Sequence, residues 1–148
     1  MKRVLVLCLG NICRSPIGEE LIRLQGIKNN IPLEVDSAGT IDWHAGKAPD
    51  PRSQAVMRTH GLNISDQQSR QLMVSDFKHF DIILCMDRQN LSDAKRIAQG
   101  PAELHLFVDG MDVPDPYYGG ETGFEQVYTM LEKASIEWIE QWSKKTNS

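Results

Sequence analysis

The chain has 148 residues, 41% apolar and 24% charged, with a formal net charge of −4 at pH 7; this is enough length and apolar content for one ordinary soluble domain without staples. The acidic balance, with no basic run to neutralise a phosphate backbone, excludes a general nucleic-acid binder. Three cysteines, an odd number, exclude a disulfide framework and fit reduced thiols in a cytosol.

Lys2-Arg3 ahead of an apolar run imitates a signal peptide, but the run is too short, and Asn11 and Arg14 stand where a cleavage site belongs. No stretch reaches the length of a membrane span, so the expectation is a cytoplasmic chain with no membrane insertion. Val4–Cys8 reads as a buried first strand. Ser15-Pro16 predicts a helix start with proline at the first helical position, Glu19 and Glu20 in the first turn, and Ile17, Leu21 and Leu24 at helical spacing. Leu33–Ser37 alternates enough for a second strand. Asp50-Pro51 opens a second helix that Gly61 stops after His60. Ile82–Met86 is a third strand, and Asp87 caps a helix through Leu91 and Ala94 towards Gly100. Leu104–Val108 is a weaker fourth strand. Thr122-x-x-Glu125 is a capping box before a long last helix whose apolar face runs Phe124, Val127, Leu131, Ala134, Trp138 and Trp142. Alternating strands and helices predict a single three-layer α/β domain over residues 1–148, with a doubly wound parallel sheet and helices on both faces. Ligands of such sheets bind at the carboxyl ends of the strands, where Cys8 sits.

Cys8-Leu9-Gly10-Asn11-Ile12-Cys13-Arg14-Ser15 is the most informative segment. It places a thiol at a strand end, an arginine six residues on and a hydroxyl beside it. The positions six residues beyond the other two cysteines, Cys13 and Cys85, hold Glu19 and Leu91. A loop bent around an anion turns its N–H groups inward, and the helix that follows adds its positive end, favouring a thiolate at Cys8. Arg14 can grip two oxygens of a tetrahedral dianion, and the Ser15 hydroxyl can donate to the thiolate. Gly10 and Asn11 are residue types that accept the left-handed backbone such a loop needs. These parts suit covalent phosphoryl transfer through a nucleophile. Asp115, between Pro114 and Pro116, is the candidate proton donor to the leaving group, held by a stiffened loop.

The signature Cys8–Pro16 resembles that of the low-molecular-weight protein tyrosine phosphatases. The resemblance continues through Asp36-Ser37-Ala38-Gly39-Thr40, Trp43, Pro49-Asp50-Pro51-Arg52, Ile83–Asp87 and Val113-Pro114-Asp115-Pro116-Tyr117-Tyr118, essentially the whole chain. It implies a four-stranded parallel sheet in the order 2-1-3-4, a phosphocysteine intermediate on Cys8, Asp115 as general acid and then base, and no metal or other cofactor. It assigns Trp43, Tyr117 and Tyr118 to the crevice walls and implies a reversible Cys8–Cys13 disulfide. Isoleucine at Ile12, where the family's arginine-phosphatase branch carries threonine, fits the tyrosine-phosphate branch. The implied partner is a phosphotyrosine-containing protein, a tyrosine kinase among the candidates, and the expected state is a monomer or a weakly self-associating chain. Many relatives carry a histidine shortly before an Arg-Gln pair to buttress the loop asparagine; here Asp66-Gln67-Gln68-Ser69 precedes Arg70-Gln71, leaving Gln67 or another group to support Asn11. The four histidines have no metal-ligand spacing, and His44 and His79 read as surface. Asp87 could also lie near the mouth, although N-cap is its simpler role. The competing readings are a thiol-dependent arsenate reductase of similar fold, which needs a cysteine relay that Cys85 is poorly placed to supply, a protein arginine phosphatase, and a non-catalytic phosphopeptide-binding module.

Overall fold

Lys2–Cys8 forms β1, and from Val4 to Cys8 every side chain is buried, so the strand is covered on both faces. Burying each of Val4, Leu5, Val6 and Leu7 is worth about 1.5–3 kcal/mol. The computed structural model describes residues 1–117 and 121–146; after β1 come α1 (Arg14–Lys28), β2 (Leu33–Gly39), α2 (Pro51–Thr59), a short α3 (Asp76–His79), β3 (Ile82–Cys85), α4 (Arg88–Ile97), β4 (Glu103–Leu106) and α5 (Glu121–Thr146). All pairings are parallel and the strand order is β2-β1-β3-β4, as expected. Alternate residues of β1 serve two cores. Val4, Val6 and Cys8 join Ile17, Leu21 and Ile22 of α1 and Phe124, Val127 and Leu131 of α5. Leu5 and Leu7 face Ile83, Cys85, Phe77 and Ala94 on the other side. The result is the three-layer, doubly wound arrangement. The chain leaves β1 towards β2 on one side and later returns to β3 on the other, so the carboxyl ends of β1 and β3 flank a switch point that opens a crevice.

Local signals hold at α2, where the Asp50 side chain accepts from Arg52 N–H and Gly61 adopts a φ of +76° past the His60 cap. They hold again at α4, capped by Asp87 accepting from Asn90 N–H. Three helix ends differ from expectation. Helix α1 begins at Arg14 with Cys13 as N-cap, placing Pro16 third rather than first and leaving no acid in the first turn; the Ser15 hydroxyl is committed to the loop before it instead of capping. Helix α5 is already under way at Glu121, so Thr122 is no cap, and Glu125 instead reaches His60, the C-cap of α2, at 2.7 Å. Helix α4 stops at Ile97 because the chain turns back to seat Gly100 against α3, where a Cβ would lie 2.5 Å from the Phe77 carbonyl oxygen.

Candidate active site

The loop from Cys8 to Ser15 closes on itself at the end of β1. Asn11 N–H approaches Cys8 Sγ at 3.3 Å, and Ser15 Oγ lies 3.0 Å from the same sulfur. Asn11 has a φ of +59°, a left-handed conformation that asparagine tolerates. Gly10, expected to share that conformation, does not, and a Cβ there would lie 3.0 Å from the His44 ring. The Asn11 side chain fixes the loop. Its Oδ1 accepts from Arg70 N–H at 3.0 Å, and its Nδ2 donates to Ser15 Oγ at 2.7 Å and to Ser37 Oγ at 3.0 Å. Because Ser15 Oγ already accepts from Asn11, its own proton is free to point at Cys8 Sγ. Ser37 Oγ in turn donates to Glu19 Oε1 at 2.6 Å, and Arg23 covers Glu19 Oε2. Burial pushes the Glu19 carboxyl above its ordinary value, against the bonds from Ser37 and Arg23. Support for Asn11 therefore comes from Ser15, Ser37 and the Arg70 backbone. Gln67 instead donates to the Pro16 carbonyl, because its position after α2 brings it against α1 rather than the loop. Nothing in the local sequence around Glu19 or Ser37 marks this network; β2 lies beside β1 only in the folded sheet.

Arg14 is 2% exposed and points across the mouth of the loop. Its Nη1 donates to Asp87 Oδ2 at 2.7 Å and to the Val113 carbonyl at 2.9 Å, while Nη2 faces Asp115 Oδ2 at 3.7 Å. Burial opposes its charge, but Cys8, Asp87 and Asp115 outweigh that and hold the guanidinium above its ordinary value. Asp87 thus does two jobs, with Oδ1 capping α4 and Oδ2 anchoring Arg14. Only the capping role has a local sequence signature.

Above the sulfur is a cavity of about 170 Å³. Ile12, Cys13 and Arg14 of the loop line it together with Ile41, Trp43, His44, Asp115 and Tyr117. Trp43 is 74% exposed and Tyr117 36% exposed, so both rings stand at the rim with area left to cover. His44, expected at the surface, is half-buried in the wall; Ser69 donates to its carbonyl, and its ring lies 6.1 Å from that of Tyr117. Ile41 and His44 are wall residues that the sequence alone did not reveal, since a loop after β2 carries no periodicity. Tyr118 lies outside the described residues. Asp115 accepts from Tyr117 N–H through Oδ1 at 3.0 Å, which leaves Oδ2 towards Arg14 and the cavity. Burial, reinforced by Asp50 and Cys8, pushes the Cys13 thiol well up, so it keeps its proton at neutral pH. Cys85 faces the opposite core, and burial pushes it up to about 12. Among the described residues no group of three histidine, cysteine or acidic side chains is arranged to hold a metal ion. A wider cavity of about 520 Å³ beside β4 and the end of α5 contains neither a thiol nor a guanidinium.

The model of the family "low molecular weight phosphotyrosine protein phosphatase" matches residues 3–148. A low molecular weight phosphotyrosine protein phosphatase of Sus scrofa is 37% identical over 150 residues, covering 94% of each chain. The solved protein tyrosine phosphatase from Entamoeba histolytica with Hepes in its active site superposes with a TM-score of 0.92 at 34% identity, covering 99% of each chain. A Drosophila arginine phosphatase superposes with a TM-score of 0.90 at 30% identity, covering 96% of this chain and 98% of its own. The chain belongs to the low molecular weight phosphotyrosine protein phosphatase family.

Proposed function

We propose that this chain hydrolyses phosphotyrosine and small aryl phosphates through a phosphocysteine on Cys8. One observation carries the reading: a sulfur held by Ser15 Oγ and Asn11 N–H lies in the same cavity as a buried guanidinium whose Nη1 is already anchored elsewhere. The remaining Nε–Nη2 edge of Arg14 takes two oxygens of the phosphoryl group, together with the amides of the Leu9–Ser15 loop. Cys8 Sγ attacks phosphorus, the S–P bond forms, and the P–O bond to the phenol breaks as Asp115 Oδ2 gives its proton to the leaving oxygen. Asp115, now a carboxylate, takes a proton from the water that attacks the phosphocysteine. The sulfur departs as thiolate and receives the Ser15 hydroxyl proton as a hydrogen bond. Arg14 stabilises the charge in both steps, so the scheme requires no metal or cofactor.

Trp43 and Tyr117 form the rim that receives the aryl ring, and a sulfur 2% exposed between rings that stand 74% and 36% exposed favours the longer phosphotyrosine over phosphoserine. Ile12 lines the cavity without a hydroxyl, which supports phosphotyrosine over phosphoarginine. Against arsenate reduction stands Cys85, on the face of the sheet opposite Cys8 and far from thiolate at neutral pH. The physiological partner in this reading is a tyrosine-phosphorylated protein in the cytoplasm, and Cys13 protects an oxidised Cys8 by forming a reversible disulfide with it. Among the described residues no helix is long and apolar enough to cross a membrane.

The test is a leaving-group series of aryl phosphates assayed in chelator. Cys8→Ser abolishes turnover. Asp115→Asn lowers kcat/KM by about 10²–10³ for poor leaving groups and little for good ones. Equal loss across the series removes the acid assignment, and turnover by Cys8→Ser removes the reading altogether.

A further inference from the structure

Asp115 sits on a loop between two prolines, and a carboxyl on a loop delivers a proton only if something fixes the loop relative to the sulfur. Arg52, at the start of α2, stands between the two. Its Nη2 donates to the Tyr117 carbonyl at 2.8 Å, and the N–H of that same residue holds Asp115 Oδ1 at 3.0 Å. Its guanidinium lies 4.7 Å from the Phe124 ring and 5.6 Å from that of Tyr117. Behind it, Asp50 grips Nε at 3.1 Å and Nη2 at 3.0 Å. Asp50 N–H in turn donates to the Ile12 carbonyl at 2.8 Å, and Ser53 Oγ of the same helix donates to the Cys13 carbonyl at 3.1 Å. A continuous run of bonds therefore leads from the backbone beside Cys8, through Asp50 and Arg52, to the carboxyl of Asp115.

We propose that Arg52 is a positioning residue for proton donation: it locks the Asp115 loop to the start of α2, and hence to the Cys8 loop, without touching substrate. The inference rests on the proposed role of Asp115 as general acid. Holding Oδ1 through Tyr117 leaves Oδ2 as the oxygen that carries the proton, and a donor displaced by about an ångström loses much of its advantage. Asp50 keeps the fork in register, since a lysine could reach one partner but not Asp50 and the Tyr117 carbonyl together.

The experiment compares Arg52→Met, Arg52→Lys, Asp115→Asn and the Arg52→Met/Asp115→Asn double variant on a good and a poor aryl leaving group. Arg52→Met should lower kcat/KM about tenfold for the poor leaving group and leave the good one nearly unchanged. It should add no further loss to Asp115→Asn, because its effect runs through that carboxyl. Competitive inhibition by inorganic phosphate should stay at the wild-type level. Equal loss on both substrates, full additivity with Asp115→Asn, or weakened phosphate inhibition would overturn the proposal and make Arg52 merely structural. If Asp115→Asn itself shows no leaving-group dependence, the acid assignment fails and the proposal falls with it; failure of the Arg52 step alone is told apart because Asp115→Asn then keeps its leaving-group dependence and Arg52→Met lacks it. Should Arg52→Met not fold, Arg52→Lys decides by the same criteria: loss confined to poor leaving groups supports the lock, and full activity on them refutes it.

Discussion

Asp87 offers the sharpest quantitative test because its two carboxylate oxygens do separate work. Oδ1 caps α4 through Asn90 N–H at 2.8 Å, and Oδ2 holds Arg14 Nη1 at 2.7 Å. A hydrogen bond to a charged group contributes about 1.5–3 kcal/mol, and the upper part of that range applies because Arg14 is 2% exposed and cannot turn to water instead. The cap contributes about 1 kcal/mol more. Asp87→Ala removes both, for an expected loss of about 3.5–4 kcal/mol. Asp87→Asn keeps one carbonyl oxygen and turns the other position into an N–H₂ donor, which cannot pair with a guanidinium. It therefore satisfies either Asn90 N–H or Arg14 but not both, for an expected loss of about 2 kcal/mol. Urea unfolding with a constant slope measures both values. Stabilities of the two variants within about 0.3 kcal/mol of each other, or of Asp87→Ala within about 0.5 kcal/mol of wild type, would refute the double role.

Glu19 predicts a pH effect. Its folded-state value is raised by burial, so between that value and the ordinary glutamate range the folded chain binds the extra proton, and this contribution to stability falls as pH rises through the folded value. The stability of wild type relative to Glu19→Gln should be greater at pH 5 than at neutral pH; an unchanged or opposite difference in urea midpoints would contradict the burial argument. Ser37→Ala strands one Asn11 N–H and Glu19 Oε1 inside the protein, at about 1–3 kcal/mol, and should slow turnover by loosening the loop, measured by unfolding and kcat/KM together. Wild type held in excess peroxide should regain activity on treatment with a dithiol, whereas Cys13→Ser, with no thiol to trap the sulfenic acid before it reaches the sulfinic level, should not; equal recovery by both would exclude Cys13 as the protecting thiol.

The parts of this protein that were legible in its sequence are those set by neighbours along the chain. The apolar runs gave three strands of the sheet and their shared direction, Asp50-Pro51 and Gly61 bounded α2, and Cys8, Arg14 and Ser15 belong to one loop whose spacing is itself the signal. Asp115 was legible only as a candidate, from its flanking prolines and from the family resemblance. Contacts made by topology were not legible. Ser37 meets Asn11 only because β2 pairs with β1 in the register that sets Cys8 opposite Gly39. Asp87 meets Arg14 only because β3 lies on the other side of β1. Local rules also misled where a side chain had a distant partner: Ser15 serves the sulfur rather than a helix cap, and Glu125 serves His60 rather than a capping box. The short α3 went unread because four residues give no periodicity.

The central claim is that phosphorus passes through Cys8 sulfur. Quenching the enzyme in alkaline denaturant during turnover of a radiolabelled aryl phosphate, in the Cys13→Ser background so that one thiol remains in the peptide Val4–Arg14, addresses it directly. The account predicts label on that peptide at Cys8 that survives alkali and is released by mild acid, appearing with the first turnover and lost in Cys8→Ser. Label on any other residue, or steady hydrolysis with the peptide unlabelled, would contradict it.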